Sequence, residues 1–229
     1  MEPARIEAGA VLQWVHDNRL PWIHDDRPFR VVAYSNGVAM YDAWWPHLDN
    51  WGLANLGEAK RRRINYYVVT ASTLAEKASF VRSEPLTEAE ISLHRPDLPF
   101  AAAQCQVLSW PAEAPGSAES AARGWRAAGC PEAETLEASE VYLQPFGPGG
   151  GERAGVRVKA DNGTSFSWDE LVWKATVIQA PFIGAHGTVQ GVGIYRSGLN
   201  RGIPAYYLWG SQSRLHDEIA SSMHGPGTN

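Results

Sequence analysis

The spacing of apolar residues predicts β-structure near both ends of the chain and a helical middle. Residues 4–17 repeat apolar positions every three or four residues, which predicts a helix. Two β-rich runs flank Asn36 and Gly37, and this pair predicts a hairpin because both residues tolerate the positive φ of a type I′ turn. Pro46 has no N–H to donate and is expected to end the second of these strands.

The same reasoning extends along the rest of the chain. Further strands are predicted at 64–72, at 104–110, and within 171–187, 188–198 and 203–210, and a second hairpin over 156–168. Helices are predicted after the capping boxes Thr73-x-x-Glu76 and Thr87-x-x-Glu90, over 117–128 with Gly129 as its stop, and over 211–223.

These elements predict an α+β fold. Hairpin-linked strands favour one domain over residues 1–229, with a largely antiparallel curved sheet or barrel-like sandwich and flanking N- and C-terminal helices. Residues 111–140 are rich in Ala, Glu, Pro, Gly and Ser, and the glycine-rich residues 145–155 are expected to be flexible, so 111–155 are expected to form a surface excursion. Residues 224–229 are expected to be a mobile tail.

Composition narrows the class of protein. A net charge of −5 argues against a dedicated nucleic-acid binder. Met1 is followed by a polar segment and no apolar run reaches about 18 residues, so neither a signal peptide nor a transmembrane span is expected. We therefore expect a cytoplasmic protein with no nucleic-acid or membrane partner, and the sequence leaves its oligomeric state open. Cys105 and Cys130 form no CxxC motif, so two buried thiols in a reducing compartment are the expectation.

The four basic residues 60–63 admit two interpretations. They lie before a predicted strand and close to Tyr66 and Tyr67, where they could contact a nucleic acid or a phosphate. A solvated strand edge, on which charge discourages aggregation, is the interpretation that the sequence favours.

Histidines next to acids are the main candidates for chemistry. Five of the seven histidines have an acid within three residues downstream, and they are His16, His24, His47, His94 and His216. Imidazole and carboxylate together are good ligands for Fe(II), Zn or Mn, although a solvated histidine is the ordinary alternative. At a strand end, His47 and Asp49 would point the same way, because residues i and i+2 share a face.

A second histidine and an arginine complete a spacing pattern. His186 ends an apolar run, and Arg196 follows ten residues later. With His47 and Asp49, this pattern is similar to that of the Fe(II)/2-oxoglutarate oxygenases. The resemblance implies that His47, Asp49 and His186 hold the iron and that Arg196 binds the carboxylate of 2-oxoglutarate, as a guanidinium can.

The stretch after His186 carries a second, smaller resemblance. His186-Gly-Thr followed by Ser197-Gly-Leu looks like the opening of RNA 2′-phosphotransferase and ADP-ribosyltransferase domains, which bind NAD. The glycines between these tripeptides also fit a twisted or bulged strand, which is the simpler interpretation.

Two functions follow from these residues. The first is an enzyme that acts on a small organic molecule in a pocket lined by Trp44, Trp45, Trp51 and Tyr41. The most specific version of this hypothesis is a metal-dependent oxygenase. The alternative is a metal-free domain that binds a small molecule or a protein through the Trp-rich surface.

Overall fold

The chain has a mixed α and β fold with two mostly antiparallel sheets. The computed structural model describes residues 6–15, 27–46, 49–52, 56–132, 134–184 and 189–214. The chain divides into two compact units, Met1–Phe100 with Gly198–Gly202 (unit 1) and Ala101–Ser197 with Ile203–Asn229 (unit 2). Neither sheet closes into a barrel within the described ranges, and the single barrel-like domain stays a prediction.

Unit 1 contains one six-stranded antiparallel sheet and three short helices within its described residues. The elements are β1 (Ala10–Trp14), β2 (Phe29–Ser35), β3 (Val38–Trp45), β4 (Asn50–Trp51), α1 (Leu56–Arg61), β5 (Arg63–Asn65), β6 (Tyr67–Thr70), α2 (Ala71–Lys77), β7 (Ala78–Ser83) and α3 (Glu88–His94). The sheet order is β4-β3-β2-β1-β7, and β6 also pairs with β3. One face of this sheet, with Leu12, Phe29 and Tyr41, forms the core with Leu74 of α2.

The predicted helix over 4–17 is wrong where the structure describes it, because residues 10–14 form strand β1. This strand lies between β2 and β7, and most of its side chains are buried on both faces. An apolar pattern at positions 10, 11, 14 and 15 fits a doubly buried strand as well as a helix, so periodicity alone could not separate them.

Local turn and capping chemistry was predicted more accurately. Asn36 and Gly37 both have positive φ, 51° and 76°, in the hairpin between β2 and β3, so the type I′ prediction is confirmed. Thr87 and Glu90 form the predicted capping box of α3. The box predicted at Thr73 is wrong, because Thr70 caps α2 and accepts the Thr73 N–H instead.

Unit 2 contains the second sheet and two longer helices within its described residues. The elements are β8 (Ala101–Trp110), α4 (Ala118–Ala127), β9 (Glu140–Gln144), β10 (Val156–Lys159), α5 (Trp168–Ile183), β11 (Val189–Asn200) and β12 (Ile203–Trp209). The strands follow the order β10-β9-β12-β11, with β8 also on β11. β12 runs parallel to β9, whereas β10 and β8 pair with their neighbours in antiparallel fashion.

The strand predicted within 171–187 is wrong, because most of this run lies in helix α5. Ser167 caps the helix by accepting the Glu170 N–H, and two acids lie in the first turn. The buried residues Leu171, Val172, Ala175, Thr176 and Gln179 recur at helical spacing. The second predicted hairpin is also wrong, since β10 pairs with β9 and residues 161–167 lead into α5 instead.

Helix α4 and Cys130, which forms a disulfide with Cys105 of β8, lie in the segment that composition predicted as a surface excursion. Ser117 caps α4, and Gly129 at φ 70° follows its end, as predicted. The Cys130 N–H then donates to the Trp125 carbonyl, which fixes the chain beyond the helix. Cys105 and Cys130 are bonded, with their Cα atoms 5.4 Å apart, so the expectation of two free thiols is wrong.

The rest of the excursion is built into unit 2. Val141 and Leu143 of β9 are buried in the sheet. The glycine-rich loop that was predicted to be flexible is hydrogen-bonded to residues 210–214, since the Arg214 N–H donates to the Gly150 carbonyl. The predicted C-terminal helix and the tail lie mostly outside the described residues. Among the described helices, we find none with the length and apolar character needed to cross a membrane.

Candidate functional site

The Trp-rich segment, residues 41–52, contains the end of β3 and the strand β4, and residues 47 and 48 between them lie outside the described residues. Trp44 pairs with Trp51 and Trp45 with Asn50 across the two strands. Adjacent residues of a strand point to opposite faces, so Trp44 and Trp45 belong to different faces of the sheet. Trp44 contacts Trp51 edge to face, with ring centroids 5.1 Å apart. Trp44 and Trp45 are both half-buried, whereas Trp51 is buried.

An ion network, buried at Arg30 and Glu90 and partly exposed at Glu84, holds Trp51 in place. The Trp51 indole N–H donates to the Glu84 carboxylate at 2.5 Å. The Arg30 guanidinium lies 5.1 Å from the Trp51 ring centroid, in cation–π geometry. Arg30 is itself buried and donates to the Glu90 carboxylate. Glu90 also caps α3, so this single carboxylate links β2, α3 and the Trp-rich segment.

The network shifts the ionisation of its two acids. Burial acts to raise the pKa of Glu90, but hydrogen bonds from Thr87 and Arg30 and the charge of Arg30 outweigh burial and lower it. Burial likewise opposes the shift at Glu84, yet hydrogen bonds from Trp51 and Arg82 and the charges of both arginines lower its pKa. Both carboxylates are therefore ionised at neutral pH, and both lie beside the Arg30 guanidinium.

Trp45 is held on the other face of β3. The Arg27 guanidinium lies 5.1 Å from the Trp45 ring centroid. A Cβ atom added to Gly52 would lie 2.3 Å from the Trp45 indole nitrogen, so only glycine lets the backbone approach this ring edge. The indole is thus fixed by a cation over its ring and by backbone at its edge, while part of it stays exposed.

Tyr41, predicted to contact substrate, belongs to a buried aromatic cluster. Its ring packs against Phe29 with centroids 4.8 Å apart and stacks on Tyr67 at 5.4 Å. Burial raises the pKa of the Tyr41 hydroxyl, and the nearby Tyr67 raises it further. Tyr67 is the exposed end of the cluster, with 54% of its surface accessible. The exposed ring is thus that of Tyr67, which the sequence analysis placed near the basic residues 60–63 and not in the substrate pocket, whereas Tyr41 is buried.

The predicted metal ligands are only partly within the described residues. His47 and His186 lie outside them, so the convergence of the three ligands is not tested. Asp49 is exposed in the turn before β4 and has φ 47°. Within the described ranges, no group of three metal-ligating side chains comes together.

Arg196, predicted to bind a cosubstrate carboxylate, is in unit 2 on strand β11. Its accessible fraction is 0%, so it offers no surface to a ligand in this conformation. His94, another of the histidines followed by an acid, is buried and shares a hydrogen bond of 3.0 Å with the Tyr66 hydroxyl. Arg196 and His94 are thus both buried and contribute to packing in this structure.

Sequence reasoning missed Arg30, Glu84 and Gly52. Arg30 interrupts the apolar run of β2, and a charged residue inside a buried strand indicates a partner elsewhere. Nothing local identifies Glu84 or Glu90 as that partner, since they are 54 and 60 residues away along the chain. Comparison with known proteins adds nothing to the site, because no family model, curated protein or solved structure matches the chain.

Proposed function

We propose that this chain binds a small organic molecule at the Trp-rich segment, with the exposed part of Trp45 as the contact surface. The observation that carries this proposal is the fixed position of a half-buried indole between Arg27 and the Gly52 backbone. A rigid aromatic ring loses little conformational freedom on binding, so it favours affinity.

The ligand class follows from the neighbours of Trp45. An indole favours a flat apolar or aromatic group, and the Arg27 guanidinium favours a carboxylate or another anion. The ligand that fits best is therefore a small aromatic or unsaturated acid. The Arg30, Glu84 and Trp51 network supports the strand pair from the other face and keeps it rigid.

The fluorescent aromatic sulfonate 8-anilinonaphthalene-1-sulfonate has this chemistry and is the probe for the first test. We expect saturable binding to the native protein, and at least about ten-fold weaker binding in Trp45→Ala. Gly52→Ala leaves the surface chemistry almost unchanged but displaces Trp45, so it is expected to weaken binding as well. Tyr34→Ala removes another exposed aromatic residue of unit 1 and is the matched control.

Two results would contradict the proposal. One is equal loss of binding in Tyr34→Ala and Trp45→Ala, which would indicate nonspecific adsorption to exposed aromatic residues. The other is the absence of probe binding together with self-association that Trp45→Ala abolishes, which would make the same surface a protein contact.

The metal-dependent oxygenase is a second candidate, and Asp49 favours it. Its carboxylate is exposed one residue before β4, in the turn where the oxygenase pattern requires a ligand. The candidate requires His47, Asp49 and His186 to bind one Fe(II), and it requires Arg196 to become accessible to 2-oxoglutarate. Bound iron would activate oxygen, while Arg196 would hold the cosubstrate and the tryptophans the substrate.

Metal analysis tests this second candidate directly. Protein purified without chelator should carry about one metal per chain, and the metal should be lost in His47→Ala and in His186→Ala. His216→Ala is the matched control, since His216, like His47, has an acid two residues downstream, at Glu218. Metal content that is unchanged in all three variants would refute the candidate. The cytoplasmic location stays a prediction, although a disulfide is more typical of an oxidising compartment.

A further inference from the structure

Five cationic residues of unit 1 lie close together in the backbone, at the end of α1, the start of β5 and the β11–β12 turn. Lys60 and Arg61 end α1, Arg62 follows, and Arg63 begins β5. The hairpin turn at Arg201 and Gly202 lies against them, because the Arg201 N–H donates to the Arg62 carbonyl at 3.0 Å and residues 198–200 pair with β5. We call Lys60, Arg61, Arg62, Arg63 and Arg201 the basic surface.

The basic surface is exposed and strongly charged. All five side chains are exposed, with 72% of Arg61 and 76% of Arg62 accessible. Glu58 pairs with Arg61 and Arg62, but one acid does not balance five cations. The local charge is therefore positive, although the chain has a net charge of −5. Because salt screens charges beyond roughly 8 Å, a ligand at this surface responds to the local charge more than to the net charge.

The position of Arg201 is a second, independent observation. Arg201 and Gly202 are the two residues of the β11–β12 turn, with φ 54° and 78°, which are values of a type I′ turn. The first hairpin of the same chain uses Asn36 at the equivalent position, and Asn adopts this left-handed conformation more readily than Arg. The turn therefore carries a cation at some cost in backbone strain, which points to a use for the charge.

We propose that the basic surface binds the phosphate backbone of a single-stranded nucleic acid. Four of its five cations are arginines, whose planar forks pair bidentately with phosphate oxygens. Tyr67, four residues after Arg63 in the chain, has an exposed ring that offers a stacking surface to a base of the same strand. A basic surface with a nearby aromatic ring is the usual arrangement for binding single strands without sequence preference.

An anionic membrane is the other polyanion to consider. Binding to a membrane surface usually requires an apolar helical face that enters the lipid, together with the cations. Helix α1 has six residues and ends in Lys60 and Arg61, and Ala59 is its buried apolar residue. The surface therefore fits a phosphate backbone better than a lipid surface. The proposal does not involve Trp45, so it can fail or hold independently of the proposed function.

Fluorescence anisotropy with labelled oligo-dT and oligo-U of about 20 nucleotides tests the proposal on the full chain. We expect binding at about 50 mM salt that weakens about twenty-fold at about 200 mM, as release of counterions from three phosphate contacts requires. Tyr67→Ala should weaken binding at least about five-fold, and Tyr67→Phe should restore it.

The most informative variant is Arg201→Asn. It removes one cation but creates the Asn-Gly turn that the first hairpin already uses, so the protein should be as thermally stable as the native chain or more so. Binding should weaken, and the slope of log K against log salt should fall by about 0.7. Arg123→Gln, which removes an exposed arginine of α4, should leave binding unchanged.

Three outcomes would overturn the proposal. The first is the absence of any anisotropy change at low salt. The second is native affinity in both Arg201→Asn and the double variant Arg61→Gln, Arg62→Gln. The third is binding to vesicles that contain phosphatidylserine by a protein that binds neither oligonucleotide, which would assign the surface to a membrane.

Discussion

The disulfide between β8 and the chain beyond α4 gives the most direct test of the structure. Cys105 and Cys130 are 25 residues apart along the chain, and both are buried. Closing a loop of this length in the unfolded chain removes entropy worth about 3.5 kcal/mol at room temperature. For a chain of this size, that amount corresponds to a fall in Tm of about 7–14 °C when the cross-link is broken.

Reduction and substitution should give concordant results. Reductant should lower the Tm measured by calorimetry or circular dichroism, and Cys105→Ala with Cys130→Ala should make the Tm insensitive to reductant. Either single substitution breaks the same cross-link, so its effect should nearly equal that of the double variant. When the wild-type protein is unfolded and alkylated without reductant, mass spectrometry should find no alkylated cysteine. Two alkylated cysteines, together with a Tm that does not respond to reductant, would refute the cross-link.

Three further predictions concern buried polar contacts. Arg30→Met leaves Glu90 buried without its arginine partner, so the free energy of unfolding in urea should fall by about 3–5 kcal/mol. A change below about 1 kcal/mol would show that the Arg30–Glu90 pair does not stabilise the fold. The pKa values of Glu84 and Glu90 are lowered on folding. The two carboxylates therefore stabilise the folded protein fully above about pH 4.5, and this contribution is lost as the pH falls through their folded-state pKa values. A Tm that is flat from pH 5 to about pH 3 would exclude this linkage. Gln179→Leu removes the side chain that hydrogen-bonds both the N–H and the carbonyl of Phe146. The free energy of unfolding measured by chemical denaturation should therefore fall by about 2–6 kcal/mol. The control Val177→Ala, on the exposed side of α5, should change it little.

The candidate site could be predicted only in part from the sequence. The Trp-rich segment was selected because it combines three of the ten tryptophans with a histidine and two aspartates, and Pro46 correctly marked the end of β3. The residues that fix its indoles were not selected, because Glu84 and Glu90 reach Arg30 only after distant parts of the chain have packed. The ligand set with His47 and His186 stays a prediction.

The sequence by itself determined the turns and helix ends that depend only on neighbouring residues. The Asn36-Gly37 turn, the Thr87 capping box and the end of α4 at Gly129 depend on a few neighbouring residues, whose backbone preferences and hydrogen bonds do not require the rest of the fold. These features were therefore predictable before any packing was known.

The tertiary structure decided what depends on burial and on distant partners. Residues 10–14 became a strand because both of their faces are covered, and residues 168–183 became a helix although much of the run is apolar. Cys105 and Cys130 became a disulfide because β8 and the end of α4 bring them together. A periodic pattern records which residues avoid water, but the neighbours that cover each residue are set only when the whole chain packs.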